Sequence, residues 1–472
     1  MTSMPVSRKV SACGCQKRNP PTSDSAFIIP LPSLSMSLDR FFKPKSVAVF
    51  GASRTLEKPG RVMLRNLLYG GFQGKVYPVN PNVDELDNLK VYSAGDFPAA
   101  DLGIFVVPAP IVPKVLDQAG DRLKAALVVS GGFGEAGQKE LDEALMKAAK
   151  KHDIRIWGPN CLGVMNTHAR VNATFLPLSR LPIPPEGNVS ILSQSGATVA
   201  SVLDWASTIN LGVSKVASYG NQLDVSDWEI LDYFLHDSET DVIGFYVEGL
   251  KDGQQLLEVA REGGKPVIVL KAGKTTAGVK AAKSHTGALA GDYQVFHGVS
   301  RQMDWGMARD PEEFLLSLKA RSRWKRDVQN VAVVTCGGGF GVMASDALES
   351  KGLKLAELHE TKKCLAGKFP RRVCLDNPVD LTGDATPEMF AWALDALSDD
   401  PAVDAIVVIL LMQLPRLTSK IVDVLRGFAQ GKKPIVVVSP PGTYASGINS
   451  LMEDLPLVSS PEKAAGVLSV LR

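Results

Sequence analysis

No stretch of this chain is apolar over the roughly 18–20 residues that a membrane span needs. Its best run, Ala405–Met412, stops far short, and a bilayer-spanning helix is not expected. Charge of one sign is also missing: 52 Lys and Arg stand against 50 Asp and Glu, a formal net charge of +2. A balance so close to neutral builds no overall field for nucleic acid or an acidic membrane surface, and neither is expected as a partner. Cysteine is scarce and scattered, at positions 13, 15, 161, 336, 364 and 374. Only Cys13-Gly-Cys15 is closely spaced, so neither a disulfide framework nor a zinc site is indicated, and no metal is expected in this chain. The pattern fits a reducing compartment, and the cytoplasm is the expected location.

What the sequence does have is alternation. With 472 residues it is long enough for about three domains of roughly 150 residues each. Short apolar runs at Ser46–Phe50, Lys75–Val79, Leu102–Val107, Ala126–Val129 and Arg155–Trp157 alternate with helical patterns from Pro110 and Gln138. Such alternation predicts an α/β chain with doubly wound parallel sheets, whose ligands sit at the strand C-terminal ends. Pro182–Gly187 breaks the pattern, and it resumes at Asn188–Leu192, Val213–Ala217, Val242–Val247 and Pro266–Leu270. A charged joint, Arg321–Asp327, leads to a third unit with strands at Val328–Val334, Ala405–Leu410 and Pro434–Val438. The predicted domains are therefore 37–182, 183–323 and 324–472. Units two and three open alike, as one module used twice. Residues 1–36 show no periodicity and read as a disordered extension. A transit peptide is the competing reading, since Arg8, Lys9, Lys17 and Arg18 are basic and only Asp24 is acidic.

Three glycine-bearing turns join a buried strand to a helix: Gly51-Ala-Ser53, Ser193-Gln194-Ser195-Gly196 and Gly337–Gly341. Turns of this kind aim backbone N–H groups and a helix dipole at one point, which favours an anion. Tight turns also need glycine for steric reasons alone, and that reading is preferred for Gly337–Gly341, which lacks the Lys and Ser/Thr of a P-loop. Ser193 and Ser195 add hydroxyl donors that a bare turn does not require. The first turn is not a dinucleotide fingerprint: Ser53 and Leu56 occupy the places of its second and third glycines. The second strand ends in Asn80-Pro81-Asn82, where a ribose diol needs an acid. An NAD-linked dehydrogenase is thereby disfavoured.

The segment 271-KAGKTTAGVKAAKSHTGALAG-291 follows a buried strand and carries His285. It reads as a long loop on which His285 is either a nucleophile presented among lysines or an incidental residue of a solvated basic stretch. Glu248 ends the apolar strand Val242–Val247, on the functional edge of a parallel sheet. It could orient one nitrogen of His285 while the other reacts, or serve only as an acid favoured by a helix N-terminus. Cys161, in Gly158-Pro-Asn160-Cys161, has no His or Asp partner in sequence and reads as a buried small residue.

In order, Val47-Ala-Val-Phe-Gly-Ala-Ser53, Asn80-Pro-Asn82, Val107-Pro-Ala-Pro110, Gly158-Pro-Asn-Cys161, Leu192-Ser-Gln-Ser-Gly196, Glu248-Gly249, Lys271-Ala-Gly273, Ser284-His-Thr-Gly287 and Asn377-Pro-Val-Asp-Leu381 follow a family pattern. The chain resembles the NDP-forming acyl-CoA synthetases, specifically the α subunit of the ADP-forming acetyl-CoA synthetases, related to the succinyl-CoA synthetase α subunit. The resemblance covers about residues 37–472. It implies a Rossmann-like CoA-binding domain followed by two flavodoxin-like ligase domains. CoA would bind at Gly51, Ala52, Ser53, Arg54, Lys58, Asn80, Pro81, Asn82, Val107, Pro108 and Ala109. Phosphate would sit at Ser193, Gln194, Ser195 and Gly196, and the acyl group near Asn160 and Cys161. His285 would take the phosphoryl group of an acyl phosphate, oriented by Glu248, and pass it to ADP or GDP. The family's ATP-grasp portion, with its Mg2+, has no counterpart within these 472 residues. The resemblance therefore implies a separate β chain, in an α2β2 heterotetramer. The rival readings are a CoA- or acyl-CoA-binding regulator and the synthetase-like half of a split protein acetyltransferase. Neither needs a nucleophile with its orienter.

Overall fold

In the computed structural model, residues 38–286, 293–429, 431, 433–452 and 454–472 are described, without the side chains of 282–286. The extension read at 1–36 lies outside these residues. The described chain builds three α/β sheets in succession.

The first sheet joins β1 (Ser46–Phe50), β2 (Lys75–Val79), β3 (Ala100–Phe105), β4 (Leu123–Val128) and β5 (Arg155–Trp157) in the order β2-β1-β3-β4-β5, all parallel. Helices α1 (Pro59–Tyr69), α2 (Val112–Ala119) and α3 (Lys139–Lys151) connect them. The strands are nearly continuous apolar runs because both faces of a parallel sheet are covered. One expectation fails here. The turn at Gly51 does not pass straight into a helix, because α1 begins at Pro59, whose fixed φ suits the first helical position. Residues 52–58 form a loop instead.

The second sheet contains β8 (Glu186–Ser193), β9 (Val213–Ser218), β10 (Val242–Val247), β11 (Val267–Lys271) and β12 (Gly306–Ala308), in the order β9-β8-β10-β11-β12. Its helices include α4 (Gly196–Thr208), α5 (Asp227–His236), α6 (Gly253–Glu262), α7 (Thr276–Thr286), α8 (Tyr293–Gln302) and α9 (Pro311–Arg323). Two further strands, β6 (Gly163–Asn166) and β7 (Val171–Thr174), form a hairpin that pairs antiparallel onto β9. This sheet is mixed, not purely parallel as expected. The hairpin also shifts the transition between sheets to between Trp157 and Gly163, ahead of the Pro182–Gly187 break. That break is a connection from β7 to β8 inside the second unit.

A second correction concerns 271–291. Thr276–Thr286 is helical, where a loop was expected. Ala277, Ala281 and Ala282 with Lys280 and Lys283 are strong helix formers, and the Thr275 hydroxyl caps the first turn by accepting the Gly278 N–H at 3.1 Å. A segment too poor in large apolar residues to build a core can still form an exposed helix.

The third sheet places β13 (Asn330–Thr335), β14 (Lys354–Leu355), β15 (Val379–Asp380), β16 (Ala405–Ile409), β17 (Ile435–Val438) and β18 (Leu457–Val458) in the order β14-β13-β16-β17-β18, with β15 also on β13. Asn377 accepts the Val333 N–H at 2.9 Å and donates to Val331 O at 2.9 Å, so this residue of a quoted motif serves the sheet. One apolar core runs from the first sheet into the second, and another from the second into the third. The helical turn 38–42 seals the first of these. Its Phe42 stacks on Tyr233 at 5.2 Å between ring centroids, and Tyr233 donates to Asp39 at 2.7 Å.

Candidate functional site

Along the main parallel path of each sheet, the β6–β7 hairpin and β15 set aside, the first strand is flanked by the next two, which makes a switch point where chain connections diverge to opposite sides. Ligand crevices form outside the strand C-termini there. In the first sheet it falls between β1 and β3, at Gly51 and Val107. Gly51 has φ +89°, and a Cβ there would lie 2.4 Å from Val106 O, so only glycine fits. Asn80, past the end of β2, donates from Nδ2 to Ala52 O at 2.6 Å and accepts the Asn82 N–H at 2.9 Å. The edges carrying Gly51-Ala52-Ser53, Asn80-Pro81-Asn82 and Val107-Pro108-Ala109 thus meet. Arg54 and Lys58 stand exposed beside them on the 52–58 loop.

In the second sheet the switch point lies between β8 and β10, which brings the Ser193–Gly196 turn beside Glu248. Gln194 joins them: its side-chain Oε1 accepts the N–H groups of Glu248 at 2.8 Å and Gly249 at 3.0 Å. Ser195 caps α4, accepting the Thr198 N–H at 3.2 Å. Among the described residues no acceptor takes the N–H of Gly196 or Ala197, as expected of a helix's first turn. Ser193 differs from the expectation. It is fully buried and its hydroxyl donates to Ser195 O at 2.8 Å, so it shapes the turn and offers no donor outward.

Glu248 is buried and receives the Tyr246 hydroxyl on Oε1 at 3.2 Å. Burial, and then the Glu248 charge, push Tyr246 up to about 12, so it remains a donor at neutral pH. Lys271, at the end of β11, is buried too. Its Nζ donates to Glu248 O at 2.7 Å and to Ala272 O. Burial holds the ammonium below the ordinary lysine value, with the Glu248 charge opposing. Lys271 therefore ties the glutamate to the residues that lead into α7, the helix whose backbone carries His285. The His285 side chain lies outside the described residues.

A cavity of about 490 Å³ opens over this edge. Gln194, Ser195 and Gly196 line it together with Asn160 and Cys161, so two motifs far apart in sequence meet in one cavity. Asn221 completes the floor. It accepts from Asn160 at 3.3 Å and donates to Glu135 of the first unit at 2.5 Å, while Lys251 binds its carbonyl at 2.7 Å. Burial works against the Glu135 charge, but the Gly132 N–H and the Asn221 amide hold its carboxyl below the ordinary glutamate range. Cys161 is buried, and burial pushes its thiol up to about 12, so it is no nucleophile at neutral pH. Among the described residues no group of three or more His, Cys, Asp or Glu could hold a metal ion.

Tyr246, Asn221 and Phe175 were not singled out in the sequence. The strand ending at Glu248 could have pointed to Tyr246. Phe175 was hidden because the hairpin before it was not recognised.

Three family models match the chain: a CoA binding domain over residues 45–167, a succinyl-CoA ligase like flavodoxin domain over 186–320, and a ligase-CoA domain over 331–451. The chain is 39% identical over 459 residues to acetate–CoA ligase [ADP-forming] I subunit alpha of Pyrococcus furiosus, covering 92% of this chain and 97% of that one. It is 41% identical over 355 residues to acetate–CoA ligase [ADP-forming] of Methanocaldococcus jannaschii, 73% of this chain but 49% of that protein. The chain thus spans about half the length of that relative. A dinucleotide-forming acetyl-coenzyme A synthetase 1 of Ca. Korarchaeum cryptofilum, solved in complex with phosphate and ADP, superposes with a TM-score of 0.83 at 34% identity. That match covers 92% of this chain and 96% of the other.

Proposed function

This chain belongs to the ADP-forming acetate–CoA ligases, matching nearly the full length of an α subunit, and from that premise we propose that it is the α half of such a ligase. The overall reaction is acyl-CoA + ADP (or GDP) + phosphate ⇌ acid + ATP (or GTP) + CoA. CoA binds where the Gly51, Asn80 and Val107 edges meet, with Arg54 and Lys58 near its phosphates. Phosphate sits on the Gln194–Gly196 turn, whose free N–H groups and helix dipole stabilise the charge.

A phosphate oxygen attacks the thioester carbonyl, the C–S bond breaks, and CoA leaves as thiolate and takes up a proton. His285 then attacks the phosphorus of the acyl phosphate. The bond from phosphorus to the acyl oxygen breaks and the acid departs as carboxylate. Glu248 accepts a hydrogen bond from the other imidazole nitrogen, which fixes the tautomer that can attack. In the last step the phosphoryl group passes to a nucleoside diphosphate bound with Mg2+ on an ATP-grasp β chain, in an α2β2 assembly. The name of the P. furiosus relative, a subunit alpha, supports a separate nucleotide half. The free cysteines among the described residues support a reducing compartment, the cytoplasm.

The observation that carries this reading is the Gln194 side chain. It binds Glu248 and Gly249 at once and so couples the anion turn to the glutamate beside the His285 helix. The test is thiol release from acetyl-CoA by the purified chain. We expect release only when phosphate is added, near one equivalent per chain, because the phosphoryl group has no exit without the β chain. Binding of acetyl-CoA with no release identifies a regulator and overturns the proposal.

A further inference from the structure

Phe175 follows the edge strand β7 and stands half-buried between two cavities. On one side is the 490 Å³ cavity over the Ser195 turn; on the other is one of about 540 Å³, lined by Leu56, Arg65, Tyr69 and Arg180 among others. Its place is fixed with unusual security. The buried Asn66 on α1 donates from Nδ2 to Thr174 O at 2.8 Å and to Leu176 O at 2.8 Å, so one amide clamps the backbone on both sides of Phe175. The wall that continues from it around the Ser195 cavity is apolar, made by Leu162, Leu176, Val129 and Ala200, and no charged side chain lines it among the described residues.

From this geometry we propose, resting on the function above, that Phe175 is the wall limiting the length of the acyl group that the Ser195 cavity takes. Acetyl and other short groups end before the ring. Longer or aryl groups meet it, although open space lies directly behind. Phe175→Ala joins the two cavities and lets such groups through.

The test follows phosphate-dependent CoA release from acetyl- and hexanoyl-CoA by the wild-type chain and by Phe175→Ala and Phe175→Leu. The wild type should prefer acetyl over hexanoyl. The ratio of hexanoyl to acetyl rate constants should rise about tenfold in Phe175→Ala, the scale on which pocket contacts discriminate by size, with Phe175→Leu in between. The milder Leu variant preserves packing and decides the matter if the Ala variant does not fold. Release with an unchanged ratio in the folded variants overturns this inference and leaves the function standing. No release from any acyl-CoA overturns both.

Discussion

Gln194 shows how much one side chain can hold. Its amide oxygen takes two backbone N–H groups at the buried end of β10, those of Glu248 and Gly249. Gln194→Ala should cost about 1–3 kcal/mol, the penalty for stranding buried donors, and should slow phosphate-dependent CoA release further than that loss of stability explains. Gln194→Glu keeps the acceptor and should recover most of the stability in urea melts; equal losses in both variants would show that the two bonds are unimportant. Asp227 makes a second case. Burial raises its carboxyl from the ordinary 3.8 to about 6, against the Trp228 N–H and the Lys251 charge, with Asp252 adding repulsion. The folded chain therefore binds this proton more tightly than the unfolded chain does, and stability falls as pH rises from about 4 to about 6. The full cost, roughly 3 kcal/mol from two pH units, persists above that window. Asp227→Asn retains an oxygen for the Trp228 N–H and removes the charge. It should be more stable than wild type at pH 7.5 and about equal at pH 4; a constant difference across that range would refute the assignment.

Among the elements, the parallel strands were legible because each is a short, continuous apolar run bounded by turns, as β10 and β11 illustrate. The hairpin β6–β7 was not. Its strands are four residues each and carry Asn166, Asn172 and Thr174, whose polar groups are satisfied only by tertiary partners such as Phe42 O for Asn166 and by local bonds such as Thr174 to Asn172. Helix α7 is hard to read for the opposite reason: its alanines favour a helix but give no amphipathic apolar stripe to mark one. The turn 38–42 is likewise tertiary in origin, since five residues have no helical stability of their own. Phe41 and Phe42 are fully buried in it, against Trp157, Tyr233 and Phe234. Phe42→Ala should cost about 3–5 kcal/mol, as large aromatic truncations in cores do. A chain that begins at Met36 should melt with the full-length one, and thermal melts of the three proteins check both statements.

At the scale of the whole molecule, the three sheets repeat one parallel strand order once the β6–β7 hairpin and β15 are set aside, with the second strand and the third flanking the first. Each thus carries a switch point, and in the first two the sequence motifs fall on it. The likeness of the second and third units read from their openings extends to this order. What no linear reading could supply is that Asn160 of one unit and Ser195 of the next face a common cavity, because that depends on how two sheets pack. The account stands or falls on His285, which is proposed to carry the phosphoryl group from the cavity to a nucleotide on a second chain. Incubated with acetyl-CoA and labelled phosphate, the chain should acquire label that survives base, is lost in acid and is absent from His285→Ala. Glu248→Gln should slow its appearance, because the imidazole loses its orientation while the nucleophile remains. On adding ADP, label should leave as ATP only when the β chain is present. Label that persists in His285→Ala, or ATP formed by this chain alone, would contradict it.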